Sequence, residues 1–191
     1  LIDNEPRLAD YQHVFDVLGQ QRAHTLSVAE EKLLAGASDI FGASAKTYSV
    51  LSDADLKFPV VQDEAGNDVR LSEGLYGVLL QSTTPRVRQQ AFAALYSVYQ
   101  QFRHTFAATL ASEVKMHNFS AETRHYASAR AAAMSRNNVP AVVYDTLVET
   151  VNDHLDSLHR YVNLRKEILD LPELHMYDLY TPITGEPSLK Y

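Results

Sequence analysis

Residues 84–119, TPRVRQQAFAALYSVYQQFRHTFAATLASEVKMHNF, decide the fold class. Phe92, Leu95, Tyr99, Phe102, Phe106, Leu110 and Val114 recur every three or four positions. That spacing lines one face of a helix that turns once per ~3.6 residues. Thr84 offers a capping hydroxyl, and Pro85 sits in a first turn, where a missing amide hydrogen is no loss. The pattern predicts one long helix reaching about Phe119, near 50 Å at roughly 1.5 Å per residue. Such a length exceeds what a small domain needs.

On the C-terminal side, a short helical stretch around Ala127–Met134 precedes the break SRNNVP. Pro140 then opens a second long helix, whose apolar series Val143, Leu147, Val151, Leu155, Leu158 and Val162 extends toward Leu169. Beyond Pro172 the segment LHMYDLYTPI reads as extended, closed by Pro182 and Gly185. On the N-terminal side, Leu8, Tyr11, Val14, Phe15 and Leu18 form the stripe of a helix over about 6–22. Ser27 and Glu30 have capping-box spacing, so another helix starts near Val28 and carries Leu33, Leu34, Ala37, Ile40, Phe41 and Tyr48. Gly36 and Gly42 argue against its being unbroken. The β signal is FPVVQDEAGNDVRL, residues 58–71, where two β-prone runs flank a polar turn containing Gly66, which predicts a hairpin. Ser72 then caps a short helix over about Glu73–Gln81, burying Leu75, Tyr76, Leu79 and Leu80. The fold class expected is therefore mainly α, with two long helices and one small hairpin.

Composition limits the function. With 191 residues, 46% hydrophobic and 21% charged, the chain can build a globular core. A net charge of −7 argues against a nucleic-acid partner. Without cysteine there is no disulfide, thiolate metal site or cysteine nucleophile. No apolar run approaches the roughly 20 residues that span a bilayer, and residues 1–15 lack a signal-peptide layout, so the default location is the cytoplasm.

A search for chemistry finds little. None of the eight histidines is followed by glutamate, so HExxH is absent, and His154 and His159 are five apart and point different ways around a helix. Glu113 and His117 have ligand-compatible spacing, which on a helix face is more often a solvated pair. No GxSxG elbow occurs. The Phe92–Phe106 aromatic stripe reads as packed core rather than a ligand groove. Asp145, Glu149, Asp153 and Asp156 read as a solvated helix side, and the Asn118-Phe119-Ser120 sequon carries no weight.

HTLS at 24–27, EEKLLA at 30–35, ADLKFP at 54–59 and FAATL at 106–110 follow one another along the chain. YDTLVETVN at 144–152, LHRYVNLRK at 158–166 and LHMYDLYTP at 174–182 continue the series. In wording and order these phrases resemble the N-terminal half of oligoendopeptidase F, a bacterial relative of the thimet oligopeptidases. The resemblance implies a neurolysin- or thimet-oligopeptidase-like helical architecture and a zinc endopeptidase that cuts internal bonds of short peptides in a deep cleft. It further implies that residues 1–125 are an N-terminal helical domain and 126–191 the helical start of a peptidase region cut before the zinc motif. In that family zinc is held by the histidines of HExxH and a downstream glutamate, positions with no counterpart here. The chain alone is thus expected to carry no catalytic or metal-binding residue and to be inactive, with oligopeptides and the missing C-terminal catalytic region as partners of the parent enzyme. His175, Tyr177 and Tyr180 are the expected border of the substrate cleft, leading toward that region. The alternative is a free-standing helical module that binds peptides or proteins between its long helices.

Overall fold

Helices form where the apolar spacing calls for them, and the computed structural model describes residues 6–184. A 3-10 turn, Pro6–Tyr11, leads into α1 (Gln12–Gln21). The Ser27–Glu30 capping box is formed in full: Ser27 Oγ accepts from the Glu30 amide and the Glu30 carboxylate accepts from the Ser27 amide, opening α2 (Val28–Gly36). The helical run breaks near both suspected glycines, giving α3 (Ser38–Phe41) and α4 (Ala43–Val50). A single π-helical turn, Leu51–Asp55, follows.

The hairpin is present as β1 (Val60–Gln62) and β2 (Asp68–Arg70), antiparallel, with Val61 opposite Val69. Its turn is held by Asp63, whose carboxylate accepts from the Asn67 amide at 2.8 Å and from the Asn67 side chain at 3.1 Å. Gly66 takes φ +83°, a backbone shape that disfavours any side chain. Glu64 ties the turn to the chain ahead of the next long helix, accepting from the Ser82 hydroxyl and the Thr83 amide. Those hydrogen bonds hold its carboxyl below the usual range. Ser72 caps α5 (Glu73–Leu79) through the Leu75 amide at 3.1 Å.

The predicted single helix from Pro85 to Phe119 is two helices, α6 (Pro85–Gln101) and α7 (Arg103–Thr123). At Phe102 the amide donates to Tyr99 O, three residues back, which tightens the turn, while the Phe102 ring packs against Leu51, Leu56 and Val98. Thr84 does not cap with its side chain. Instead Ser82 Oγ accepts from the Thr84 amide at 3.1 Å. Ser128 caps α8 (Ala129–Ser135). The second predicted long helix is also divided, into α9 (Ala141–Asp153) and α10 (Leu155–Ile168). There the His154 ring Nδ1 takes Thr150 O at 2.7 Å, the carbonyl an unbroken helix would give to the His154 amide, and that amide turns to Val151 O instead. Residues 174–183, expected to be extended, contain a 3-10 turn, Met176–Asp178. Gly185 lies outside the described residues.

Two compact units divide the chain. One comprises Leu1–Val50 and Ala107–Val148. Among its described residues only Ala121 is buried, so polar and ring contacts carry much of its definition. Arg124 makes a two-pronged ion pair with Glu31, at 2.7 and 2.8 Å. His24 stacks on Tyr126 at 3.5 Å, and its Nδ1 bonds to Arg124 O at 2.8 Å. The guanidinium hydrogen bonds, helped by the Leu26 amide, pull the Glu31 carboxyl down to about 2. Because the folded value lies below the unfolded one, this pair stabilises the unit above about pH 4.5 and the stabilisation fades as pH falls toward 2. Carbon-detected NMR titration should place the Glu31 midpoint near 2 and return it to the ordinary carboxylate range in Arg124→Met.

The other unit, Leu51–Phe106 with Glu149–Tyr191, holds the core. Val61 and Leu71 from the hairpin, Leu79 from α5 and Val87, Ala91 and Leu95 from α6 form one buried cluster. Each fully buried Val or Leu side chain there contributes about 1.5–3 kcal/mol. The hairpin, marginal alone, is stable because its inner face is a wall of this cluster. A second cluster joins Leu51, Leu56 and Val98.

Candidate functional site

The core unit also carries two buried arginines, and they meet at one turn. Arg88 lies on α6 one residue past Val87, three before Ala91 and seven before Leu95, so a charge occupies the helix face that enters the core. It is 1% exposed, and its Nε and Nη2 donate to Asp178 Oδ1 at 2.9 and 2.5 Å, while Nη1 donates to Ser82 O at 2.8 Å. Asp178 is equally buried, and its other oxygen accepts from the His175 amide at 2.9 Å. Arg165, on α10, donates through Nη2 to Asp178 O at 3.1 Å and Thr181 O at 2.5 Å, and through Nη1 to the Tyr161 hydroxyl at 3.2 Å. Thr181 Oγ1 reaches back to Leu80 O. These bonds convert the expected extended tail into a clasped turn.

The turn presents rings. His175 stacks on Tyr177 at 4.9 Å, and Tyr177 meets the edge of Phe92 at 5.6 Å. Phe92 in turn packs on Tyr96 at 4.5 Å, one helical turn along α6. Tyr76 is linked to Tyr96 by a hydrogen bond and feels Tyr180 electrostatically; burial first, then these neighbours, push its phenol up to about 12. Burial likewise raises Tyr177, with Asp178 adding to the shift and Arg88 opposing it. These phenols therefore stay neutral at physiological pH, able to donate hydrogen bonds while their rings offer apolar area. Tyr180 is 69% exposed. Such a surface can hold a peptide by backbone hydrogen bonding and ring contact, but it contains no activated nucleophile.

His175, Tyr177 and Tyr180, singled out from sequence, are thus brought to one turn. Sequence reasoning missed the residues that build it. Phe92 and Tyr96 carried the signal of two aromatics four apart, and Arg88 that of a charge on an apolar arc.

The metal reading of Glu113 and His117 gains no third donor. The two are 3.7 Å apart, and Glu113 already accepts from the Ser44 hydroxyl at 2.5 Å. Among the described residues no three His, Asp or Glu side chains come together in a way that could hold a metal ion. These residues do not fit a zinc site. Nor is any helix among them long and apolar enough to cross a membrane. On the acidic side of α9, Asp145 is engaged by Arg130 at 2.7 Å in an exposed ion pair.

Comparison with known proteins identifies the family. The model described as oligopeptidase F matches residues 1–58, and that of peptidase family M3 matches residues 78–187. The chain belongs to peptidase family M3. This M3 chain is 48% identical over 179 residues to group B oligopeptidase PepB of Streptococcus agalactiae, with 94% of the chain and 30% of that relative covered. It is 46% identical over 180 residues to oligopeptidase PepF of Bacillus subtilis, covering 94% of the chain and 27% of the relative. In structure it is similar to oligoendopeptidase-F from Enterococcus faecium, with a TM-score of 0.90 and 54% identity, across 97% of this chain and 37% of that one. The M3 chain therefore spans about 30% of the length of the curated relatives it matches. Its predominantly helical fold with a small hairpin is that of an oligoendopeptidase. The arginine-clasped turn at 175–181 lies inside the segment matched by the M3 model.

Proposed function

We propose that this chain is the N-terminal part of a cytoplasmic, zinc-dependent oligoendopeptidase that cuts internal bonds of short peptides, and that it forms a wall of the substrate cleft. The observation that carries the reading is the aromatic turn: tyrosine rings and a histidine presented on an arginine-held support, in a chain of a peptidase family. On this reading the zinc ligands and the general base would come from the portion of the relatives' length that this chain does not cover. Its contribution is confinement: the wall orients the peptide and keeps out folded proteins. Contact with the peptide is made by His175, Tyr177 and Tyr180.

The test is kinetic. In a relative-length protein containing this chain, Tyr177→Ala and Tyr180→Ala should each raise KM for a short quenched peptide by about 5–10-fold, the size of one lost aromatic or hydrogen-bonding contact, with a smaller change in kcat. Unchanged KM in both variants would remove the turn from the substrate cleft.

A further inference from the structure

Beneath the aromatic turn, two buried guanidiniums meet at Asp178, one at its carboxylate and the other at its backbone carbonyl. Arg88 takes the Asp178 side chain, whereas Arg165, 5% exposed, bonds only to neutral oxygens, and its buried Nε has no hydrogen-bond partner. A buried cation satisfied in this way is poorer for stability than a packed aliphatic chain of similar size. Stability alone would be served as well by an aliphatic side chain at this position.

What the arginine adds is geometry. The carbonyls that Arg165 Nη2 binds, those of Asp178 and Thr181, bracket Leu179 and Tyr180. One donor group thus closes over the pair and sets the direction in which Tyr180 leaves the backbone. Side-chain packing cannot set that direction, since Tyr180 is 69% exposed. Asp178, held by Arg88 and capping the His175 amide, fixes the other end of the turn.

We propose that Arg165 is a positioning residue for peptide binding: it preorganises Tyr180 on the rim, and it acts through Tyr180 rather than by touching substrate. This rests on the reading of His175, Tyr177 and Tyr180 as a peptide-binding border. Preorganised contacts hold a ligand without the entropy cost of ordering them on binding, so loosening the clasp weakens KM.

The experiment is a double-mutant cycle in a relative-length protein that contains this chain, read by peptide cleavage and by thermal melting. Arg165→Met should raise KM about 5–10-fold with kcat changed less than about twofold. Arg165→Lys, which keeps a donor able to reach one carbonyl, should recover about half of that loss on a logarithmic scale, leaving a KM rise of about 2–3-fold. In a Tyr180→Ala background, Arg165→Met should add less than about twofold, because residues that act through one another are not additive. Multiplying effects in that background, or a KM unmoved by Arg165→Met in a folded protein, would overturn the proposal. If Arg165→Met does not fold, Arg165→Lys decides: a KM rise of about 2–3-fold that disappears in Tyr180→Ala supports positioning, and any other result overturns it. Should Tyr180→Ala itself leave KM unchanged, the binding border fails. A Tyr180→Ala effect without an Arg165 effect sinks only the positioning role.

Discussion

Asp178→Ala is expected to lower the stability of the chain by about 3–5 kcal/mol, the usual cost of removing one member of a buried ion pair. Arg88 and Asp178 are each 1% exposed, and the carboxylate is the only anion bonded to the Arg88 guanidinium among the described contacts. Without it, Arg88 keeps one neutral carbonyl, that of Ser82, and the His175 amide loses its acceptor. Water cannot readily replace these bonds, because neither group reaches the surface. Arg88→Met should cost less, since Asp178 retains the His175 amide and Arg165 remains hydrogen-bonded to its backbone carbonyl. The double variant Arg88→Met/Asp178→Leu should recover part of the loss, because an apolar pair of similar volume leaves no charge stranded. Urea denaturation followed by helical circular dichroism ranks the three. If Asp178→Ala proved as stable as the parent, the clasp would contribute nothing to the fold.

Much of the secondary structure is legible in sequence because its causes are local. The Ser27–Glu30 box, the Ser72 and Ser128 caps and the Asp63–Asn67 turn are each set by residues within four positions of one another. The helix interruptions at Phe102 and His154 are not legible in the same way. Apolar spacing continues straight through both, so periodicity sees one helix. Phe102 is tightened where its ring joins the Leu51 and Leu56 cluster, about fifty residues away in sequence. At His154 a ring nitrogen competes for a backbone carbonyl, a choice that spacing does not encode.

The site follows the same division. The aromatic content of residues 175–180 marks them as a surface for something, but their shape depends on Arg88, 90 residues earlier, and on Arg165, 13 residues earlier. A tail rich in Tyr, Leu and Pro reads as extended when those partners are unseen. Arg88 was the readable clue, a charge among Val87, Ala91 and Leu95 that only a buried counter-ion could justify.

Catalysis by residues 1–191 is therefore the most direct measurement. Enzymes of ordinary efficiency accelerate their reactions by at least about 10⁶-fold, so even a small share of activity would stand above background. Incubated with zinc and a quenched oligopeptide, the 191-residue chain should give no cleavage over a protein-free control. A relative-length protein containing it should cleave the same peptide and fall to background when zinc is chelated. Chelator-sensitive turnover by the 191-residue chain alone would contradict the account, because it would require a metal site that its described residues do not form.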